Sequence, residues 1–207
     1  MAKYDEQLLG KLERAVEQFE QRTSVELVFV LAHRSSSYPD VPWKVGSFFA
    51  FLVLGLALVL PADFSPIFLL LDVLLGFAAG WALGRFAPGL TRLLVSTKRK
   101  KEQVRLRCHA AFSARGVTLT QDRSGLLIFV SWLEREVELR WDVGIERAVP
   151  SPEWNEARVA FFRARVLEDL PNKLDDGLKP LADVLSTHMP PASDNPNEIP
   201  NRPVVIG

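Results

Sequence analysis

Two aspartates and a glutamate are the residues of this chain whose types and positions best suit chemistry. Asp122 stands in the turn "DRSG", and Asp142 and Glu146 follow the segment "EVELRW". If the strands on either side pair as a hairpin, the two aspartates come near one another at one end of it. Oxygen ligands gathered in that way suit a hard cation, calcium or magnesium, which Glu146 would help to hold. The same residues have a second reading, in which Asp122 fixes its turn through backbone contacts and Asp142 does so ahead of Gly144. A metal-activated water attacking a phosphate ester would also need a cation for the phosphoryl group, and no basic residue is singled out for that task.

Other constellations carry less. Cys108 is the only cysteine, so no internal disulfide forms, as suits a reducing compartment. Arg115 follows it with six residues between, inside a predicted helix. A cysteine phosphatase instead closes a strand-to-helix loop around its phosphate. His33, His109 and His188 fall in three different elements with no partner at metal-ligand spacing. Neither a Walker loop nor G-x-G-x-x-G occurs in the soluble part. The 25 Lys and Arg balance 25 Asp and Glu, so no net field draws nucleic acid to the chain.

These residues depend on elements that the apolar pattern defines. Residues 4–22 place Leu8, Leu12, Ala15, Val16 and Phe19 at helical spacing. "VELVFVLA" (25–32) and "LLIFVS" (126–131) are short, β-branched and almost continuously apolar, the pattern of strands covered on both faces. "EVELRW" (136–141) alternates, the pattern of a half-exposed strand paired in a hairpin with its predecessor. Residues 95–115 predict a basic helix with Val104, Cys108, Ala111 and Phe112 as its buried stripe and Gly116 as its stop. A further helix opens at Ser151 as cap with Pro152 at its first position and runs to about Leu170. The last spans Leu174 to Met189, with Pro180 kinking or restarting it. Residues 191–207, rich in proline, are expected to be disordered.

The middle of the chain has a different character. Residues 43–60 and 64–87 form two apolar segments joined by a proline-rich elbow, and from Phe64 to Gly84 the second is interrupted only by Asp72. Both are long enough to span a bilayer, so 43–88 is expected to be a transmembrane hairpin between the halves of a discontinuous domain, 1–42 and 95–190. Arg34, Lys44, Arg85, Arg92 and the run Lys98, Arg99, Lys100, Lys101 flank the spans, while the elbow has no Lys or Arg. Positive charge stays inside, so both flanks are expected in the cytoplasm, at the bacterial inner membrane. The first twenty residues are dense in charge, and no secretory signal is expected there. Residues 98–101 would meet anionic lipid headgroups. Asp72, Gly76, Gly80 and Gly84 recur every four residues and share one helix face. Such a seam packs closely on the first span, with Gly46 and Ala50 opposite, or on a second copy or another membrane protein.

The order strand, helix, strand, strand, helix, helix describes an α/β fold, a small α/β sandwich with the hairpin inserted in its first crossover. "RTSVELVFVLA", then "RGVTLTQDRSGLLIFVSWLEREVELRWDVGIERAVPSPEW" and "GLKPLADVLSTHMP" together resemble the TPM domain family in its bacterial membrane-protein branch. "DRSGLLIFVS", "DVGI" and the Pro–Glu–Trp helix start carry most of that resemblance. It implies an α/β sandwich, a role in assembling or maintaining membrane protein complexes and, for some members, calcium binding or phosphatase activity. Many members hold the domain outside the cytoplasm, whereas the charge pattern here places it inside. The expected function is therefore a membrane-anchored, non-catalytic interaction or assembly factor for membrane proteins. A metal-dependent phosphatase is the alternative.

Overall fold

The computed structural model describes residues 5–60, 65–120, 122–164, 166–191 and 198–207. The chain divides into two units, Met1–Ser35 with Lys101–Gly207, and Ser36–Lys100. Helices α1 (Glu6–Glu20), α2 (Asp40–Val59), α3 (Pro66–Phe86), α4 (Pro88–Leu94), α5 (Thr97–Ala114), α6 (Val143–Ala148), α7 (Ser151–Arg163) and α8 (Leu170–His188) accompany strands β1 (Leu27–Ala32), β2 (Leu126–Ser131), β3 (Glu136–Trp141) and β4 (Val204–Ile206).

The first unit is built on a four-stranded mixed sheet of order β3-β2-β1-β4. β1 runs parallel to β2, with Leu27 opposite Leu126, and parallel to β4, with Val30 opposite Val204. β3 returns antiparallel, with Leu139 opposite Ile128. Every residue of β1 and β2 is buried, and the period of two divides them between two cores. Leu27, Phe29, Leu31, Leu126, Ile128 and Val130 join α1, α7 and α8 on one face. Val28, Val30, Ala32, Leu127 and Phe129 meet Val104, Cys108 and Phe112 of α5 on the other. On β3 only the side bearing Val137, Leu139 and Trp141 reaches the first core, and the charged residues alternate with it as the sequence requires.

Three boundaries differ from the sequence reading. The cap of α7 is Pro150, with Ser151 and Pro152 inside the helix, and no side chain bonds the first turn. α7 stops at Arg163 and a 3-10 turn, Val166–Glu168, intervenes before α8. Gly177 marks the reason: a Cβ there would lie 2.4 Å from Val166 Cγ2, so the turn occupies the space that a side chain on α8 would need. α8 then continues through Pro180 as a single element. The larger correction is the tail. Val204–Ile206 form the edge strand β4, Pro203 is buried, and Ile199, Val204 and Ile206 pack on the α5-side core. Three β-branched residues suffice because β1 offers a ready edge, a tertiary condition that composition does not reveal.

The second unit holds α2 and α3, both long and apolar enough to cross a membrane. Their contacts show an antiparallel pair, for Gly76 meets Val53 and Phe49, Gly80 meets Val45 and Phe49, and Gly84 meets Pro42 and Val45. Most other large apolar residues of the pair, among them Phe48, Phe51, Leu58, Ile67, Phe68 and Leu75, are exposed. The hairpin is thus inserted between β1 and β2, as expected, while elbow residues Pro61 and Asp63 lie outside the described residues.

Candidate functional site

The turn that carries Asp122 is shaped by its neighbours. Arg123 adopts a left-handed φ of 53°, and Ser124 N–H donates to Thr120 Oγ1 at 3.0 Å. The two carboxylate-bearing loops do meet. Asp142 N–H donates to Gly125 O and Gly144 N–H to Arg123 O, each at 2.9 Å. A Cβ on Gly144 would lie 2.3 Å from Asp122 O, so only glycine allows this approach.

What the meeting produces is an ion pair. Asp142 is 5% exposed, and its two oxygens accept from Arg123 Nε at 2.6 Å and Nη2 at 2.9 Å in a fork-to-carboxylate arrangement. It also caps α6, accepting Val143 N–H at 2.7 Å. The Arg123 hydrogen bond, aided by that N–H, holds the Asp142 carboxyl below the usual aspartate range. Asp122 has an exposed side chain and contributes its backbone oxygen to the contact. Glu146 accepts Trp141 Nε1–H at 3.1 Å. Among the described residues no group of three or more His, Cys, Asp or Glu is placed to hold a metal ion. The calcium or magnesium expected at Asp122, Asp142 and Glu146 thus draws no support from their placement among the described residues. The cation at Asp142 is the chain's own guanidinium, which the sequence reading overlooked beside Asp122 in "DRSG".

The remaining candidates have structural partners. Cys108 is fully buried, and burial pushes its thiol up to about 12. His109 Nε2 lies 2.9 Å from Arg140 Nη1. Burial, followed by Arg140 and Arg105, lowers its affinity for a proton. His188 Nε2 lies 2.8 Å from Glu153 Oε2.

Three buried or half-buried acids escaped the sequence reading. Glu134, 4% exposed, accepts Ser35 N–H on both oxygens at 3.1 and 3.2 Å and Ser131 Oγ–H at 2.5 Å. Ser35 Oγ in turn donates to Ser131 Oγ at 2.7 Å. This chain ties the residue where β1 exits to the turn after β2. Glu20 accepts Leu27 N–H at 3.0 Å, and burial raises its carboxyl to about 7. Glu26 accepts Ile199 N–H at 3.3 Å and is also raised by burial. A carboxylate in a charged run reads as solvated until the fold brings another segment over it. A cavity of about 430 Å³ opens beside the first residues of β3. Val137, Phe161 and Phe162 give it an apolar floor, and Lys101, Arg135 and Glu138 add charges of both signs.

In the second unit the glycine seam is used within the hairpin. A Cβ at Gly80 would lie 2.7 Å from Val45 O, and one at Gly84 2.8 Å from Pro42 Cα. The opposing residues are Pro42, Val45, Phe49 and Val53. Gly46 faces Phe77 instead, and Ala50 is not among the opposing atoms. Asp72, on the same row, is exposed. Of the basic run, Arg99 Nη1 donates to Asp40 at 2.9 Å and Lys100 Nζ to Arg92 O at 3.1 Å, while Lys98 is exposed.

No family model matches the chain, and no curated protein matches it. It is similar in structure to the BA42 protein from the psychrophilic bacterium Bizionia argentinensis, known from NMR. The TM-score is 0.60 at 15% sequence identity, covering 100% of this chain and 98% of that one. At that identity the likeness concerns the fold alone.

Proposed function

We propose that this chain is a membrane-anchored interaction domain of the TPM type. It acts without catalysis as an assembly factor for other membrane proteins at the cytoplasmic face of the bacterial inner membrane. The observation that carries the reading is the hairpin α2–α3. Its glycine seam is satisfied internally, its outward apolar side chains are exposed, and it departs from a folded α/β unit between two paired strands. A soluble helix pair would turn those side chains into a core. The resemblance in "DRSGLLIFVS" and "DVGI" supports the family, and the flanking cations support the orientation. Occupation of Asp142 by Arg123 favours the non-catalytic reading over the phosphatase, which needs a metal to activate water.

Asp72 adds a reason to expect a partner. It lies six residues into α3, about 9 Å along the axis, and an exposed carboxyl at that depth is costly in lipid unless it meets protein or water. A second copy or another membrane protein would provide that contact.

Cysteine placed at Asp63 is expected to react with an impermeant maleimide added to intact cells, and cysteine placed at Ser186 to react only after lysis. The reverse pattern overturns the orientation, and labelling of neither site before or after lysis overturns the assignment of both positions to aqueous surfaces. Purified protein given calcium or magnesium and a phosphomonoester is expected to show no turnover. Turnover abolished by Asp142→Asn restores the phosphatase reading.

A further inference from the structure

α3 does not run on into the basic region. Pro88 lacks an N–H and disfavours helical backbone in the residue before it, and Ala87 is accordingly extended at φ −99°, ψ 95°. A separate helix, α4, follows at once and is closed at Val95, again extended at φ −92°, ψ 127°. No residue of α4 is buried. At 100° per residue, Leu90, Leu93 and Leu94 share one side of it, with Thr91 and Arg92 on the other. Leu93 and the preceding Phe86 are each 79% exposed. This concentration of open apolar surface is unusual for a segment ending in water.

The level of α4 relative to the hairpin can be read within the second unit. Gly84 packs on Pro42, so the end of α3 lies level with the start of α2. That start is a polar collar, in which Asp40 accepts from Lys44 at 2.8 Å and from Arg99 at 2.9 Å while Arg99 stacks over Tyr38. The 21 residues of α3 measure roughly 31 Å, about the thickness of a bilayer's hydrocarbon. α4 therefore starts where the hydrocarbon is already crossed, yet it carries an open leucine face. Arg85 and Lys98 flank that face with exposed cations.

We infer that α4 is an in-plane interfacial helix. Leu90, Leu93 and Leu94, with Phe86, enter the headgroup–acyl boundary of the leaflet from which α3 emerges, and Arg85 and Lys98 meet its anionic headgroups. The occupant of the leucine face is the lipid surface itself. Phe86 at the end of α3 is as open as Leu93 on α4, and the flanking cations complement acidic lipid. The inference rests on the membrane reading above and extends it to a segment that spans nothing. Its mechanical effect is to hold the link from α3 to α5 against the membrane plane.

The test uses the full chain in vesicles of three parts phosphatidylethanolamine to one part phosphatidylglycerol. Cys108 can stay in place, because a buried thiol pushed up to about 12 does not take a thiol-directed label. Nitroxides are placed singly at Leu93→Cys, Thr91→Cys and Leu70→Cys, and their depth is read from relative collision with oxygen and with a water-soluble nickel chelate. Leu70 is expected deep in the hydrocarbon. Leu93 is expected about 5–10 Å inside the boundary, and Thr91 on the aqueous side. Leu70 deep with Leu93 in water overturns the inference and leaves the membrane reading standing. Leu70 in water overturns both. A Leu93 label immobilised and inaccessible to both quenchers identifies a protein contact and also overturns the inference.

Discussion

Glu20 sets up a pH dependence that can be worked through from its surroundings. Its carboxyl accepts Leu27 N–H from the start of β1 and has Glu17 on its own helix, Glu26 from the strand segment and Asn201 from the C-terminal segment around it. Burial dominates and raises the carboxyl from 4.5 to about 7. The folded state thus prefers the protonated acid. The stability this gives is fully present below about 4.5, declines as pH rises, and is lost once pH passes about 7. In a dry site that interval would be worth roughly 3 kcal/mol. Glu20 is half-buried, and solvent screening brings the expectation to about 1–2 kcal/mol. The variant Glu20→Gln stays neutral and can still accept Leu27 N–H. In detergent, wild type is expected to melt about 2–4 °C lower at pH 8 than at pH 5.5, since that range spans roughly three fifths of the interval, with much of that slope absent from Glu20→Gln. Amide exchange at Val204–Ile206, followed in parallel, is expected to quicken with pH beyond its intrinsic rate in wild type more than in the variant. Equal melting slopes for the two proteins would refute the reasoning.

Other outcomes follow from single contacts. Gly80→Leu must push α3 away from Val45 O and is expected to lower the detergent stability of the hairpin, whereas Leu83→Ala, at an exposed position, does much less; thermal melts with size analysis decide it. Removing residues 198–207 uncovers the β1 edge and the core under Ile206 and is expected to destabilise the first unit by about 2–4 kcal/mol, read by denaturant unfolding. Arg123→Gln leaves Asp142 without its guanidinium. Its deficit relative to wild type is expected to be full at pH 6 and to close as pH falls below the normal aspartate range, because a depressed carboxyl gives stability that acid removes. Gly144→Ala is expected to destabilise the same loops, since its Cβ would enter the space of Asp122 O.

The parts of the fold legible in the sequence are those written by local periodicity. Six consecutive apolar residues in β1 and five in β2 announce strands covered twice, and Val104, Cys108, Ala111 and Phe112 trace the inner stripe of α5. Spacing of four placed Gly76, Gly80 and Gly84 on one face, but which surface they meet depended on Val45 and Phe49 of another helix. The candidate site was legible only in half. The sequence brings Asp122 and Asp142 to neighbouring loops, yet Arg123 reaches Asp142 because its backbone turns left-handed, a choice that "DRSG" does not declare. Glu134 stayed hidden because its burial depends on Ser35, which is 99 residues away. β4 stayed hidden because three residues make no period.

The position of β1 in the sheet has a consequence for biosynthesis. Both hydrogen-bonding neighbours of β1 are made after it, and the α2–α3 hairpin is made in between. Leu126 leaves the ribosome 94 residues after Ala32, about 5–20 s later at ordinary elongation rates. During that interval a strand of six apolar residues has neither edge paired, the condition under which strands recruit foreign partners. On the proposed topology, the hairpin enters the bilayer before β2 exists to close the sheet. Targeting failure would then leave β1 waiting in the cytosol with a greasy hairpin attached, a species that chaperones and proteases recognise.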